Sequence, residues 1–292
     1  MQDIIKWSKF IPVIVLPVLA LASRPSFSSW LFMWLMGFSI YAGCKWLTWC
    51  RALEKGMRPS LLMSLGYLLF WLGMDAQEFL DRKTKIGKPT RKLWCIAIIK
   101  TLLGAILLWG VPRLLPVEQP LLIGWVGALG LLLLLFFGIF HIFALIWQEL
   151  GINARHIMNS PLLATSLSDF WGRRWNLAVH QLAQGLVFQP LVRHTGVAWA
   201  TFMAFLASGL AHELITSLPA GGGYGLPTSY FVLQSFGVFV ERSKLGRGLG
   251  LGRGPLGWLF TFVFTAYPFS LLFHPPFIIN VMIPFMTKIH AI

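Results

Sequence analysis

Leu121-Leu-Ile-Gly-Trp-Val-Gly-Ala-Leu-Gly-Leu-Leu-Leu-Leu-Leu-Phe-Phe-Gly-Ile-Phe-His-Ile-Phe-Ala-Leu-Ile-Trp147 runs for 27 residues without a charge. A helix needs about 20 apolar residues to cross a bilayer core, so this stretch is long enough to cross with some tilt. A soluble fold would have to bury it on every side, and the rest of the chain offers no polar surface for that. Of 292 residues, 57% are hydrophobic and 12% charged, about half the charged share of an ordinary soluble domain. The run sets the class: an all-α polytopic membrane protein.

Further apolar segments flank it on both sides. Upstream lie Phe10–Ala22, Trp30–Leu47, Leu61–Gly73 and Trp94–Gly110. Leu61–Gly73 is short and has basic residues on either side, which fits a re-entrant or interfacial helix. Downstream, Leu177–Leu191 is modestly apolar and reads as half-inserted. Val197–Leu214, Tyr230–Val240, Leu256–Phe273 and Phe277–Ile289 follow, the last two around a His274-Pro275-Pro276 break. The expectation is one membrane unit over 1–292, with about eight to ten membrane segments.

The formal charge of +14 is concentrated in connectors. Arg82, Lys83, Lys85, Lys88, Arg91 and Lys92 form one cluster, and Arg242, Lys244, Arg247 and Arg253 another. That is the positive-inside distribution of cytoplasmic loops. It argues for anionic lipid and phosphate-bearing partners, and against nucleic acid. Gly246-Arg-Gly-Leu-Gly-Leu-Gly-Arg-Gly254 follows no strand and lacks a Lys-Ser/Thr, so it reads as a flexible basic loop and not a P-loop.

Lys6 and Lys9 precede the first apolar stretch, which ends in Ala20-Leu21-Ala22 like a cleavage site. Pro12 and Pro17 lie within it, and more apolar segments follow at once, so an uncleaved first helix is expected. Cys44, Cys50 and Cys95 have no metal-ligand spacing and read as packing residues.

Polar residues inside a bilayer are costly, so each is a candidate for function. His212 stands in Phe205-Leu-Ala-Ser-Gly-Leu-Ala-His212-Glu213-Leu, where Ser208 and Glu213 are its only polar companions. It is either a working base or a structural histidine bonded to a carbonyl of a neighbouring helix. His141 lacks such a setting and reads as structural. The second constellation is Ser168-Asp169-Phe-Trp171-Gly-Arg173-Arg174-Trp175-Asn176-Leu-Ala-Val-His180. If it is helical throughout, Trp171 and Trp175 share a face, as do Asn176 and His180. An interfacial belt would explain its Trp and Arg residues, with Trp at headgroup depth and Arg on lipid phosphate, but not its Asn-His pair.

Asp169-Phe-Trp-Gly-Arg-Arg-Trp-Asn176, followed by Ser208-Gly-Leu-Ala-His212-Glu, resembles the membrane-bound O-acyltransferase superfamily, its wax-synthase branch most closely. Trp71-Leu-Gly-Met-Asp-Ala76, Pro219-Ala-Gly-Gly-Gly-Tyr-Gly-Leu-Pro-Thr228 and Leu272-Phe-His-Pro-Pro276 resemble bacterial members. The likeness covers about 68–292 and departs at Leu72, where such relatives would carry Pro. The spacing of 36 residues between Asn176 and His212 makes the pair more specific than either motif. The resemblance implies a helical fold around a tunnel, a catalytic His212 and a partner Asn176. Its membrane would be a bacterial inner membrane, with the catalytic loops facing the cytoplasm.

The residues suit that chemistry. A neutral His accepts a hydroxyl proton near pH 7, and Asn176 can supply or organise a donor for charge on a thioester oxygen. No Ser or Cys forms a triad with His212, although Ser208 lies one turn away. Direct transfer from acyl-CoA to a long-chain or other lipophilic alcohol is expected, with acyl-CoA as co-substrate and no cofactor or metal. Arg173 and Arg174 suit its phosphates. A proton-coupled transporter through His212 and Glu213, or a non-catalytic lipid-binding protein, are the alternatives; the first would carry inverted-repeat symmetry.

Overall fold

In the computed structural model, residues 8–84 and 86–292 are described; Lys6 and Lys85 lie outside that set. Every regular element among the described residues is helical. Four helices are long and apolar enough to cross a membrane: α5 (Arg91–Leu114), α6 (Pro120–Glu149), α8 (Leu177–Ala220) and α11 (Gly254–Leu272). The chain divides into two compact units, one of residues 1–114, 126–156 and 290–292, the other of 115–125 and 157–289.

In the first unit, α1 (Ile11–Ala22) packs on α2 (Ser29–Glu54). Close approach is possible because Gly43 has no side chain: a Cβ there would sit 2.6 Å from Val13 Cα. The short α3 (Leu61–Phe70) is capped by Ser60, whose Oγ accepts from Met63 N at 3.3 Å. It buries Met63, Ser64, Gly66 and Tyr67 and exposes Leu61, Leu62, Leu69 and Phe70. Asp75 then caps α4 (Ala76–Leu80). The turn through Trp71, where Leu72 departs from the expected Pro, is held by two side chains of α2. Tyr41 Oη donates to Trp71 O at 2.7 Å and buried Lys45 Nζ to Gly73 O at 2.6 Å.

Helices α5 and α6 approach through glycines, as small residues allow in lipid. A Cβ on Gly138 would lie 2.5 Å from Thr101 Oγ1, and one on Gly104 would strike the Leu134 backbone. Lys88 Nζ is 3.8 Å from Glu149. The start of α5 and the end of α6 are therefore level, as an out-and-back pair requires.

In the second unit, the short α7 (167–174) leads into α8. Gly196 (φ 78°, ψ 170°) interrupts α8, between the two segments expected from the sequence. The helices α9 (Leu226–Arg242), α10 (Lys244–Leu249), α11 and α12 (275–288) complete it. One expectation is corrected: the basic stretch after Arg242 is not all loop. Ser243 caps α10 by accepting from Gly246 N at 2.9 Å, and Gly250 ends it in the left-handed region.

Candidate active site

The Asn176 motif is built from a loop folded against a helix end. Asn159 N donates to Arg174 O at 2.8 Å and Leu177 N to Ile157 O at 2.9 Å, so residues 157–159 strap the 174–177 turn. Helix α7 is capped by Ser166, whose Oγ accepts from Asp169 N at 2.9 Å. Buried Glu241 of α9 accepts from Leu167 N as well. Asp169 is buried and serves both arginines, taking Arg173 Nε at 2.9 Å and Arg174 Nε on its other oxygen. The Arg173 side chain stays 77% exposed while its Nε is held by Asp169. Arg242 Nε donates to Ser168 Oγ at 2.9 Å.

The helix does not run on through Asn176, which corrects the uninterrupted i, i+4 reading. Trp175 is extended and Asn176 is left-handed (φ 40°, ψ 64°), a region that Asn enters more readily than most residues. From there its Oδ1 caps α8 by accepting from Val179 N at 3.3 Å. The acceptor end of the amide is thus occupied, and Nδ2 is its donor end. Asn176 N itself points at Met158 Sδ, 3.3 Å away. His180 lies in the first turn of α8, half-buried. Trp171 and Trp175 still meet, edge to face at 6.4 Å between ring centroids.

His212 Nδ1 lies 2.7 Å from the Ser208 carbonyl of its own helix. A carbonyl only accepts, so Nδ1 carries the proton, and Nε2 of the neutral ring keeps its lone pair. Among the described residues no hydrogen bond ties the histidine to a neighbouring helix. Ser208 Oγ donates to Ala204 O at 3.0 Å, so this hydroxyl is engaged with the helix backbone.

Aromatic rings connect the two motifs. The Trp171 ring lies 5.7 Å from Phe205 of α8 and 5.7 Å from Phe231 of α9. Phe231 in turn lies 4.6 Å from the His212 ring. Trp171 Nε1 donates to Gln234 Oε1 at 3.2 Å, and Gln234 Nε2 to Phe264 O at 2.6 Å. Trp171 therefore packs among helices, with its indole N–H engaged. Gly209 lets α9 approach, since a Cβ there would be 2.8 Å from Thr228 Cα.

Glu213 faces the start of α9, where its Oε1 accepts from Gly225 N (3.1 Å), Thr228 N (3.0 Å) and Thr228 Oγ1 (2.8 Å). It anchors the Gly-rich turn, and a carboxylate suits the positive end of a helix. Buried His274 caps α12 by accepting from Phe277 N on Nδ1 at 3.2 Å. Its Nε2 therefore carries the proton and donates to Ser217 Oγ at 3.1 Å. A histidine in that tautomer cannot take the serine's proton, so this pair is no nucleophilic dyad. Burial holds the His274 imidazole below its ordinary pKa, opposed by the charge of Glu213.

Phe231, Gln234, Glu241 and Met158 were not singled out from the sequence. Gln234 and Glu241 carried a signal, as polar residues in an apolar helix; Phe231 and Met158 carried none.

A polytopic helical membrane protein with a neutral histidine joined by packed rings to a loop-borne asparagine is the class so defined. Residues 154–233, which hold both motifs, match the model of the membrane bound O-acyl transferase family. The chain is 35% identical over 147 residues to a probable long-chain-alcohol O-fatty-acyltransferase 9 of Arabidopsis thaliana, covering 46% of this chain and 43% of that one. It is 44% identical over 101 residues to the long-chain-alcohol O-fatty-acyltransferase of Simmondsia chinensis, covering 32% and 29%. Against acyl-CoA–sterol O-acyltransferase 1 of Arabidopsis thaliana it is 45% identical over 64 residues, covering 20% and 19%. The matches thus span less than half the length of each of these relatives. Over the stretch that holds both motifs, the chain is thus similar to membrane-bound O-acyltransferases and to the long-chain-alcohol acyltransferases among them.

Proposed function

We propose that the protein transfers a fatty acyl group from acyl-CoA to the hydroxyl of a lipophilic alcohol, giving a wax or related ester. The observation that carries this reading is the tautomer of His212: Nδ1 is occupied by the Ser208 carbonyl, which leaves Nε2 as a neutral base. Nε2 takes the alcohol proton as the oxygen attacks the thioester carbonyl carbon. The tetrahedral oxyanion is stabilised by a preorganised donor, the role assigned to Asn176 Nδ2. Collapse breaks the carbon–sulfur bond, and the imidazolium returns its proton to the departing thiolate. The products are one ester and one free thiol, with no acyl-enzyme.

Ser208 is not a nucleophile in this scheme, because its hydroxyl is bonded to Ala204 and not to His212. Asp169 positions Arg173 and Arg174 for the donor's phosphates. Trp171 and Trp175 pack the motif, with His180 beside it on the opening turn of α8. Glu213 sets the turn that places α9. In this reading about eight to ten segments enclose a tunnel that admits both chains. The basic connectors, and with them the donor site, face the cytoplasm of a bacterial inner membrane; positive-inside charge supports the orientation. The relatives named above are plant proteins, so fractionation of the native host is what assigns the membrane. Their names divide between long-chain alcohols and sterols, and a long-chain alcohol is the acceptor we favour.

The test is stoichiometry. Purified protein given labelled acyl-CoA and a long-chain alcohol is expected to release ester and thiol in equal amounts. Thiol without ester would make the protein a thioesterase and overturn the proposal.

A further inference from the structure

We infer that Lys100 and His141, with His156 facing the latter, form a binding site for the anionic headgroup of a lipid, apart from the transfer chemistry. All three belong to the first unit. The glycine-mediated approach of α5 and α6 puts Thr101 against Gly138, and so brings the neighbouring Lys100 alongside the 137–141 turn. Its ammonium lies 5.9 Å from the Phe137 ring centroid. The His141 and His156 rings face each other at 3.9 Å between centroids. His141 is 7% exposed, and its buried Nδ1 has no hydrogen-bond partner among the described residues.

Depth makes this arrangement costly. Lys100 is nine residues into α5 and His141 eight residues from the end of α6, about 14 and 12 Å along their helices at 1.5 Å per residue. The level pairing of Lys88 with Glu149 puts those ends side by side. An ionisable group so far along a membrane helix is expected to have a partner. Among the described residues no carboxylate pairs with Lys100; the ion pairs lie at Lys9, Lys88, Arg155, Arg173 and Arg174. A cation and an unpartnered imidazole, with no acid to balance them, are complementary to an oxyanion. The cation repels a metal ion, which removes the usual reason for facing histidines. An oxyanion reaching this depth from the bilayer is carried on an acyl chain, as a fatty-acid carboxylate or a phospholipid phosphate.

The test is equilibrium binding of radiolabelled oleate to the purified full-length protein, with unlabelled competitors. Oleate is expected to bind saturably, and the chain-matched neutral methyl oleate not to displace it. Lys100→Met is expected to weaken binding by about 10-fold or more, as loss of a charged hydrogen-bond partner does, while Lys100→Arg retains it. Displacement by dioleoyl phosphatidic acid assigns the site to phosphate as well; its failure to displace assigns carboxylate alone. His212→Ala is expected to bind oleate as wild type does, so the outcome is independent of the proposed transfer. Equal affinity in wild type and Lys100→Met, displacement by methyl oleate, or saturable binding of zinc instead of oleate would overturn the inference. Should Lys100→Met not fold, His141→Gln carries the same expectation of weakened binding.

Discussion

His212 of α8 and His141 of α6 both sit in apolar membrane helices, yet their Nδ1 atoms have opposite surroundings. At His212 this nitrogen meets a carbonyl 2.7 Å away, which fixes the tautomer and leaves a lone pair on the far side of the ring. At His141 the same nitrogen is buried with no partner among the described residues, beside a second imidazole. One environment leaves a lone pair on a neutral ring; the other is the one proposed to receive an anionic ligand. Residue type does not separate the two, whereas the hydrogen bond on one ring nitrogen does.

The contrast can be broken by experiment. The largest effect is expected at His212→Ala, which should lower turnover by about 10²–10⁴-fold while the protein still folds. Turnover of His212→Ala above half the wild-type value, or an equal loss in His141→Ala, would end the assignment. Next comes Asn176→Asp, which keeps the shape, the left-handed backbone and the capping oxygen but removes the Nδ2 donor. It should cost about 10²–10³ in kcat, with every alcohol acceptor and with little change in Tm. A raised KM for alcohol at normal kcat would instead make Asn176 a pocket residue. Asn176→Leu is a poorer probe, because a branched apolar residue at φ 40° adds about 1–2 kcal/mol of backbone strain.

The smallest effect concerns His274, which sharpens the comparison as a histidine whose two nitrogens are both engaged. Its folded pKa lies below the unfolded value. The unfolded state therefore binds the proton more readily, and stability falls as pH drops below about 6.5 towards the folded pKa. Unfolding midpoints measured from pH 7.5 to 5 should decline in wild type and decline less in His274→Gln. Parallel curves would mean that other groups carry the acid sensitivity.

Much of the membrane architecture was legible because hydropathy and charge are one-dimensional signals. Helices α5, α6 and α11 lie where apolar runs predict them, and Gly196 divides α8 between two predicted segments. The motif around Asn176 was legible as composition but not as conformation. Nothing in Asp169–His180 announces that the helix stops at Trp175, since the left-handed turn is imposed by the 157–159 strap from outside the motif. Phe231 was invisible for a different reason: it is one apolar residue among many, and only packing shows that it touches His212. The role of Gly138 in bringing α5 against α6 was likewise hidden, because a close approach belongs to two helices at once.

The protonation state of the His212 ring tests the account most directly. Nitrogen-15 NMR of protein labelled at histidine, with His212 assigned by its absence in His212→Gln, reports which ring nitrogen carries the proton. The ring is expected to be neutral at pH 7, protonated on Nδ1 and bare on Nε2. A proton on Nε2 with Nδ1 bare would contradict it, because the side of the ring assigned to the alcohol would then have no base to offer.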